Sequence, residues 1–446
     1  MAPEPIVLDR DPVVLAGELR SLVPDSGSVR EAVAEIVARV RAGGDSAVRD
    51  YTRRFDTGGA EPLPLVVGAG ELDAAAERLD PAVRDGLVCA AENVGRVAAA
   101  GLTADRVVQL QGGANAHCVQ ASGTQARGTQ ARGTQARWEV ALRGAPVASA
   151  AVYVPGGRAP YPSTVVMGVV TARVAEVPEV AVCAPPGPDG DIHPVILAAC
   201  RLAGATVVYR MGGAQAIAAL AYGTESVSAV DVIVGPGNLY VQEAKHQVFG
   251  QVGIEGFAGP SDLVVIADAD ADPELVALDL LAQAEHGPGT LVIGISDSSE
   301  LLSAVAERMS QSADTGAIRR LVAVENPDEG LALAEAFAPE HLELIGPTAE
   351  ALAPRVSRAG CLFVGAAGGS AFGDYIAGSN HVLPTGGAAR FASALSTAHF
   401  RRRFSEVRIG GAAEALARAA APVARAEGFE LHARSMEARI RQNGSA

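Results

Sequence analysis

The chain is poor in several things, and each shortage narrows what it can be. No uninterrupted apolar run reaches the roughly 18 residues needed to span a bilayer, and Met1-Ala2-Pro3-Glu4 begins with neither a basic stretch nor an apolar targeting segment. The five cysteines, Cys89, Cys118, Cys183, Cys200 and Cys361, are scattered, odd in number and never spaced Cys-x-x-Cys. That argues against a disulfide framework and thiolate metal sites and fits a reducing compartment. Basic residues number 36 against 51 acidic ones, for a net charge of -15, and aromatic residues make up only 4% of the chain. With no basic cluster and no aromatic-interleaved strip there is no footprint for nucleic acid. Lysine is almost missing: Lys245 stands alone, a skew of coding composition rather than chemistry. The expectation is a cytoplasmic protein with neither membrane nor nucleic acid as partner.

What is present suggests an α/β protein. At 446 residues the chain has room for two or three domains. Residues 1–25 form an N-terminal arm. Residues 26–149 read as a helical segment expected to pack with the second α/β unit, with helical spacing over 28–41, 45–55 and 81–100. It contains three tandem copies of Gly-Thr-Gln-Ala-Arg over 123–137, too few and too short for a solenoid and therefore read as a loop expansion. Residues 150–260 form a first α/β unit, with β-branched runs at 151–154, 180–183, 206–209 and 232–234, each followed by a helical pattern. Ligands of such sheets bind beyond the carboxyl ends of the strands, which here carry Pro155-Gly156-Gly157, Gly212-Gly213-Ala214-Gln215 and Gly235-Pro236-Gly237-Asn238. None completes a Gly-x-Gly-x-x-Gly fingerprint, because Tyr240 stands where the last glycine belongs. Residues 261–395 repeat the alternation as a second α/β unit, and 396–446 form a helical C-terminal arm.

Two stretches of the second unit bear chemistry. Asp272 and Pro273 start a helix that Gly287-Pro288-Gly289 stops just after His286, with a buried stripe expected at Leu275, Val276, Leu278, Leu281 and Ala282. Gln283 and His286 then share its C-terminal end, the negative pole of the helix dipole. His286 is either a cation ligand or a cap on the last carbonyls. Gln283, His286, Asp374 and His432 form one of many possible sulfur-free ligand sets, suited to zinc and also to manganese or cobalt. Glu340-His341 is either a solvated surface pair or two proton-transfer groups, and joint action requires an irregular backbone there.

The ordered motifs together resemble the histidinol dehydrogenase family. They are Gly44-Asp45 through Tyr51-Thr52 to Phe55-Asp56, Tyr153-Val154-Pro155-Gly156-Gly157, Gly212 to Ile217, Gly235 to Asn238 and Ala258-Gly259-Pro260-Ser261. Further on come Gln283 to Gly287, Ala338-Pro339-Glu340-His341-Leu342-Glu343, Gly373-Asp374-Tyr375, Asn380 to Thr385 and Ala426-Glu427 to His432. The resemblance implies two α/β domains with incomplete Rossmann-like parallel sheets and a helical C-terminal arm exchanged in a homodimer. It implies one zinc per subunit on Gln283, His286, Asp374 and the partner's His432, and bases at Glu340 and His341. Substrate contacts fall on Ser261, Gln283, His286, His341, Asp374, His381, Glu427 and His432, and NAD contacts on Tyr153, Gln215 and Asn238. The implied reaction oxidises L-histidinol to L-histidine through L-histidinal with two NAD, by a water route without a cysteine adduct. The alternatives are a related zinc- and NAD-dependent dehydrogenase of another small amino alcohol or polyol, and a non-catalytic metal-binding homologue. The tandem repeat lies outside the family pattern.

Overall fold

The computed structural model describes residues 3–23, 26–112, 136–156, 159–256 and 260–440. In chain order its strands are β1 (Ile6–Val7), β2 (Arg106–Gly112), β3 (Ala136–Pro146), β4 (Ser149–Tyr153), β5 (Glu179–Ala184), β6 (Val207–Arg210) and β7 (Val232–Val234), then β8 (Gly253–Ile254), β9 (Asp262–Ala267), β10 (Leu291–Ser296), β11 (Ile318–Ala323), β12 (His341–Ile345), β13 (Cys361–Val364) and β14 (Arg401–Arg408). The chain divides into two compact units, Met1–Leu102 with Pro146–Phe400, and Thr103–Ala145 with Arg401–Ala446.

The first unit holds two sheets. One has the order β6-β5-β4-β7-β8, the other β1-β11-β10-β9-β12-β13, and every pairing in both is parallel. Without the short edge strand β1 the two orders are the same: the first strand lies at the centre, the next two on one side and the last two on the other. Each sheet therefore reverses its winding once, between β4 and β7 and between β9 and β12. Parallel strands need helical crossovers that cover both faces, so they are mostly apolar, and β9 and β10 are buried along their whole length. Pleating sorts these side chains into separate cores. Ala150 and Val152 face one core of the first sheet and Ala151 and Tyr153 the other; Val264 and Ile266 face one core of the second and Leu263 and Val265 the other.

The helix Arg30–Phe55 departs from the expected packing. Its stripe of Val33, Ile36, Val37, Val40, Val48 and Tyr51 joins the core of the first sheet, not the second, and packs on the helix Gly213–Tyr222. The helices Ala69–Glu77 and Pro81–Ala100 supply Leu72, Ala75, Ala90 and Val94 to the opposite face of that sheet. An amphipathic stripe says that a helix is covered but not by what, so the partner was invisible locally. The N-terminal arm does belong to the second sheet: β1 extends it, and Leu15, Ala16 and Leu19 of the helix Pro12–Arg20 enter its core.

In the second unit β2 and β3 form an antiparallel ribbon, Arg106 opposite Leu142 through Gly112 opposite Ala136, joined by β14 in the order β14-β3-β2. The helices Ala413–Ala426 and Glu430–Ala438 pack on each other. The helical reading of 26–149 and of the tail thus missed three strands, because a sheet assembled from segments so distant has no local signature. Residues 123–135 of the tandem repeat lie outside the described residues, and Ala136 and Arg137 open β3. Among the described residues no helix is long and apolar enough to cross a membrane.

Candidate active site

A cavity of about 610 Å³ in the first unit is lined by one edge of each sheet. From the first sheet come Pro155 and Gly156, after β4, and Pro236, Gly237 and Asn238, after β7, all at carboxyl ends. From the second come Ser261, immediately before β9, Thr290, immediately before β10, and Glu340 and His341 at the start of β12, all at amino ends. The cavity thus meets the first sheet at its carboxyl ends and the second at its amino ends.

Glu340 and His341 owe their placing to an irregular turn. The helix Pro327–Phe337 stops at Ala338, whose φ of +52° is unusual for a residue with a Cβ, and Pro339 forbids its resumption. The Glu340 carboxylate accepts the Ser261 hydroxyl and, at 3.0 Å, the Asp262 backbone N–H, while its own N–H donates to Asp262 Oδ1 at 2.7 Å. Burial pushes its pKa up, and Asp262 adds to the rise against the pull of His341 and the two hydrogen bonds. His341 Nε2 lies 3.7 Å from Asp374 Oδ1, and its Nδ1 is buried without a hydrogen-bond partner among the described residues. Burial works against charging this ring, but Asp374, Glu340 and Asp262 overcome it and hold the pKa up to about 9.

The helix Pro273–Ala284 brings Gln283 to the same edge, with Asp272 capping its first turn at 2.8 Å. It ends before His286, and the expected stripe is out of phase: Leu275 and Leu278 are exposed, while Ala277, Leu280 and Gln283 are buried. His286 Nδ1 lies 3.0 Å from the Gln283 carbonyl, as a capping histidine does, and the ring lines the cavity. Gln283 lies behind the lining, its amide nitrogen donating to Ser261. Asp374, on the short helix Ser370–Tyr375, keeps a lowered pKa because His341, His381 and His286 outweigh burial, the largest opposing influence. Burial lowers the pKa of His381 against the opposing charge of Asp374. With the Asp374 carbonyl at 3.0 Å as an acceptor, Nδ1 is the donor, and Nε2 accepts from Thr164 Oγ1 at 3.1 Å.

Among the described residues no group of three His, Cys, Asp or Glu is arranged to hold a metal ion. Of the expected ligands within the unit, His286 and Asp374 line the cavity and Gln283 lies behind it; an imidazole, a carboxylate and an amide are donor chemistry suited to zinc. Glu427 and His432 belong to the second unit, where both are exposed; Glu427 ends the helix Ala413–Ala426, and the His432 ring lies 5.1 Å from that of Phe429.

The expected dinucleotide residues cluster at the first sheet. Tyr153 OH accepts the Gly213 N–H at 3.1 Å, and Gln215, on the helix beginning at Gly213, has its amide nitrogen buried without a partner among the described residues. Such an orphan donor fits a polar ligand that completes the site. Of the three, only Asn238 lines the cavity; its Oδ1 caps the helix Leu239–Val248 through the Tyr240 and Val241 N–H groups, leaving its amide nitrogen for a ligand. Gly157, Ala258 and Gly259 of the matching motifs lie outside the described residues. Gly235 has φ +116°, and a Cβ there would strike the Tyr153 carbonyl. Reading the residues missed what holds this turn: Lys245, which donates to the Gly235 carbonyl at 2.6 Å, and Glu255, which accepts the Gly235 N–H at 2.8 Å and pairs with Lys245. Also missed were Asp262, and the carboxyl pair Asp279 and Glu343, which joins three site-bearing elements as Glu343 accepts the Ser370 N–H. Burial, then the Asp279 charge, pushes Glu343 up to about 8.

The model of the histidinol dehydrogenase family matches residues 20–440. The chain belongs to the histidinol dehydrogenase family. It is 42% identical over 433 residues to the histidinol dehydrogenase of Parasynechococcus marenigrum, covering 94% of this chain and 93% of that one. With that of Deinococcus radiodurans it shares 43% over 429 residues, 92% of this chain and 91% of the other. The crystal structure of the Elizabethkingia anophelis histidinol dehydrogenase superposes with a TM-score of 0.85 at 27% identity, covering 100% of this chain and 99% of that one.

Proposed function

We propose that the cavity oxidises L-histidinol to L-histidine through L-histidinal, in two hydride transfers to NAD, with proton transfer divided between His341 and Glu340. Family membership makes the chain an NAD-dependent dehydrogenase acting on histidinol in histidine biosynthesis. The observation supporting the division is that two consecutive residues, one before β12 and one opening it, both line one cavity. Gln283, His286, Asp374 and the partner subunit's His432 would hold a zinc ion, which would supply a positive centre for orienting the imidazole and amino group of the substrate, and NAD is the hydride acceptor.

His341 takes the hydroxyl proton as hydride leaves the alcohol carbon, giving the aldehyde. A cation on Asp374 would draw that carboxylate away from His341 and so weaken the hold on the ring proton, favouring the ring as a base. Glu340, aimed by Ser261 and Asp262, then takes a proton from the water that adds to the aldehyde carbon, and the hydrate loses the second hydride to become the acid. No thiol is required. Burial pushes Cys183 up to about 12 and Cys200 higher still, and also raises half-buried Cys361, so none is poised as a thiolate. Ser261, His381 and the partner's Glu427 complete the substrate contacts, and Tyr153, Gln215 and Asn238 receive the dinucleotide. This reading makes the protein a cytoplasmic homodimer with a shared site. The test is NADH absorbance on mixing metal-replete protein with L-histidinol and NAD; about two NADH per histidine formed are expected, and no rise would refute the reading.

A further inference from the structure

We propose that Arg20, at the end of the N-terminal helix Pro12–Arg20, is a positioning residue that clamps the turn carrying Glu340 and so serves the water-addition step. The inference rests on the reading of Glu340 as the base for that step. Arg20 itself does not line the cavity. Its guanidinium lies 3.5 Å from the centre of the Phe337 ring, and its Nη2 donates to the carbonyls of Phe337 at 2.8 Å and Ala338 at 3.1 Å. Its Nη1 donates to Asp262 Oδ2. Asp262 in turn exchanges two hydrogen bonds with Glu340, one in each direction.

Three needs are met by this one planar cation. Carbonyls at the end of a helix have no partner within it, and here Arg20 supplies donors to two of them. Ala338 sits in the left-handed region, which persists only where neighbours hold it. Asp262 is fully buried beside a second carboxyl, so without a cation its charge would repel that of Glu340. Lysine cannot replace the fork, because one ammonium lacks the planar spread that reaches two carbonyls and a carboxylate while stacking on a ring. Loss of Arg20 therefore frees the turn and turns Asp262 against Glu340, with no direct effect on substrate, metal or dinucleotide.

The experiment compares Arg20→Met with Glu340→Gln in the full-length, metal-replete enzyme, timing NADH formation in the first turnover of L-histidinol and, separately, from supplied L-histidinal. Arg20→Met is expected to slow aldehyde oxidation about tenfold or more, to change the alcohol step by about twofold at most, and to leave both KM values within about twofold. A folded Arg20→Met enzyme that slows both steps alike, or neither, while Glu340→Gln slows only the aldehyde step, would overturn the clamp. Equal loss of both steps in Glu340→Gln would remove the underlying reading and the clamp with it. If Arg20→Met does not fold, Arg20→Met combined with Asp262→Asn removes both charges and is judged by the same ratio of steps.

Discussion

In the first sheet the cavity is met by the carboxyl ends of β4 and β7 and by a helix that begins there, at Asn238; in the second it is met by the amino ends of β9 and β12 and by a helix that ends there, at Gln283 and His286. The strand order is shared, so topology does not separate the two halves. Polarity does. Helix N-termini present unpaired N–H groups and a positive pole, which suit the phosphates of a dinucleotide, whereas helix C-termini present carbonyls and a negative pole, which suit a cation. Turning one of two like sheets end for end gives a single cavity a phosphate-favouring wall and a metal-favouring wall. The same device explains why only one wall is rich in glycine. Gly156 and Gly237 leave backbone exposed to the cavity on the first wall, while the second wall is lined by the side chains of His286, Glu340, His341 and Asp374.

The largest effect that would test this contrast is expected on the cation side. His286→Ala should abolish stoichiometric zinc and lower both oxidation steps by more than about a hundredfold, with metal content and NADH formation as readouts; retained zinc would separate the helix end from the metal. Mixing a His432→Ala subunit with an Asp374→Ala subunit should restore part of the activity if each site draws on two chains, and no recovery would assign His432 to its own subunit.

Next comes Glu340→Gln, expected to slow the aldehyde step by about 10²- to 10⁴-fold while sparing the alcohol step. Glu340 works ionised, and its pKa is raised by burial. The aldehyde rate should therefore fall as pH drops through a value above the ordinary carboxylate range, and a limb within that range would contradict the burial argument.

The smallest effect is expected on the dinucleotide side. Lys245→Met loosens the Gly235 turn without touching the cation wall, so KM for NAD should rise by about threefold to tenfold while KM for histidinol stays put. Parallel changes in both constants would show that the two walls are not independent.

Much of the fold could be read in advance. The runs at 151–154, 180–183, 206–209 and 232–234 lie within about three residues of β4, β5, β6 and β7, and apolar runs at 263–266, 290–295, 321–324, 342–345 and 361–364 lie within about three residues of β9, β10, β11, β12 and β13, because strands buried on both faces must be mostly apolar. The short or solvent-facing strands β1, β2, β3, β8 and β14 carry no such mark. Of the expected site residues, Glu340, His341, His286, Asp374, His381, Ser261 and Asn238 line one cavity, whereas Gln283, Tyr153 and Gln215 lie outside its lining and Glu427 and His432 belong to the second unit. Arg20, Asp262, Lys245 and Glu255 were silent, since each acts through a partner remote in the chain or on a backbone atom that has no letter in the sequence.

The residue pattern by itself therefore determined the α/β class and the family, both of which depend on local periodicity and on ordered motifs. Tertiary structure alone decided that one sheet offers its carboxyl edge and the other its amino edge, that the helix Arg30–Phe55 covers the first sheet, and that Arg20 reaches the turn before Glu340. The physical reason is the same in each case. A strand or an amphipathic stripe states what must be buried, but direction, partner and charge compensation exist only once distant segments are packed together.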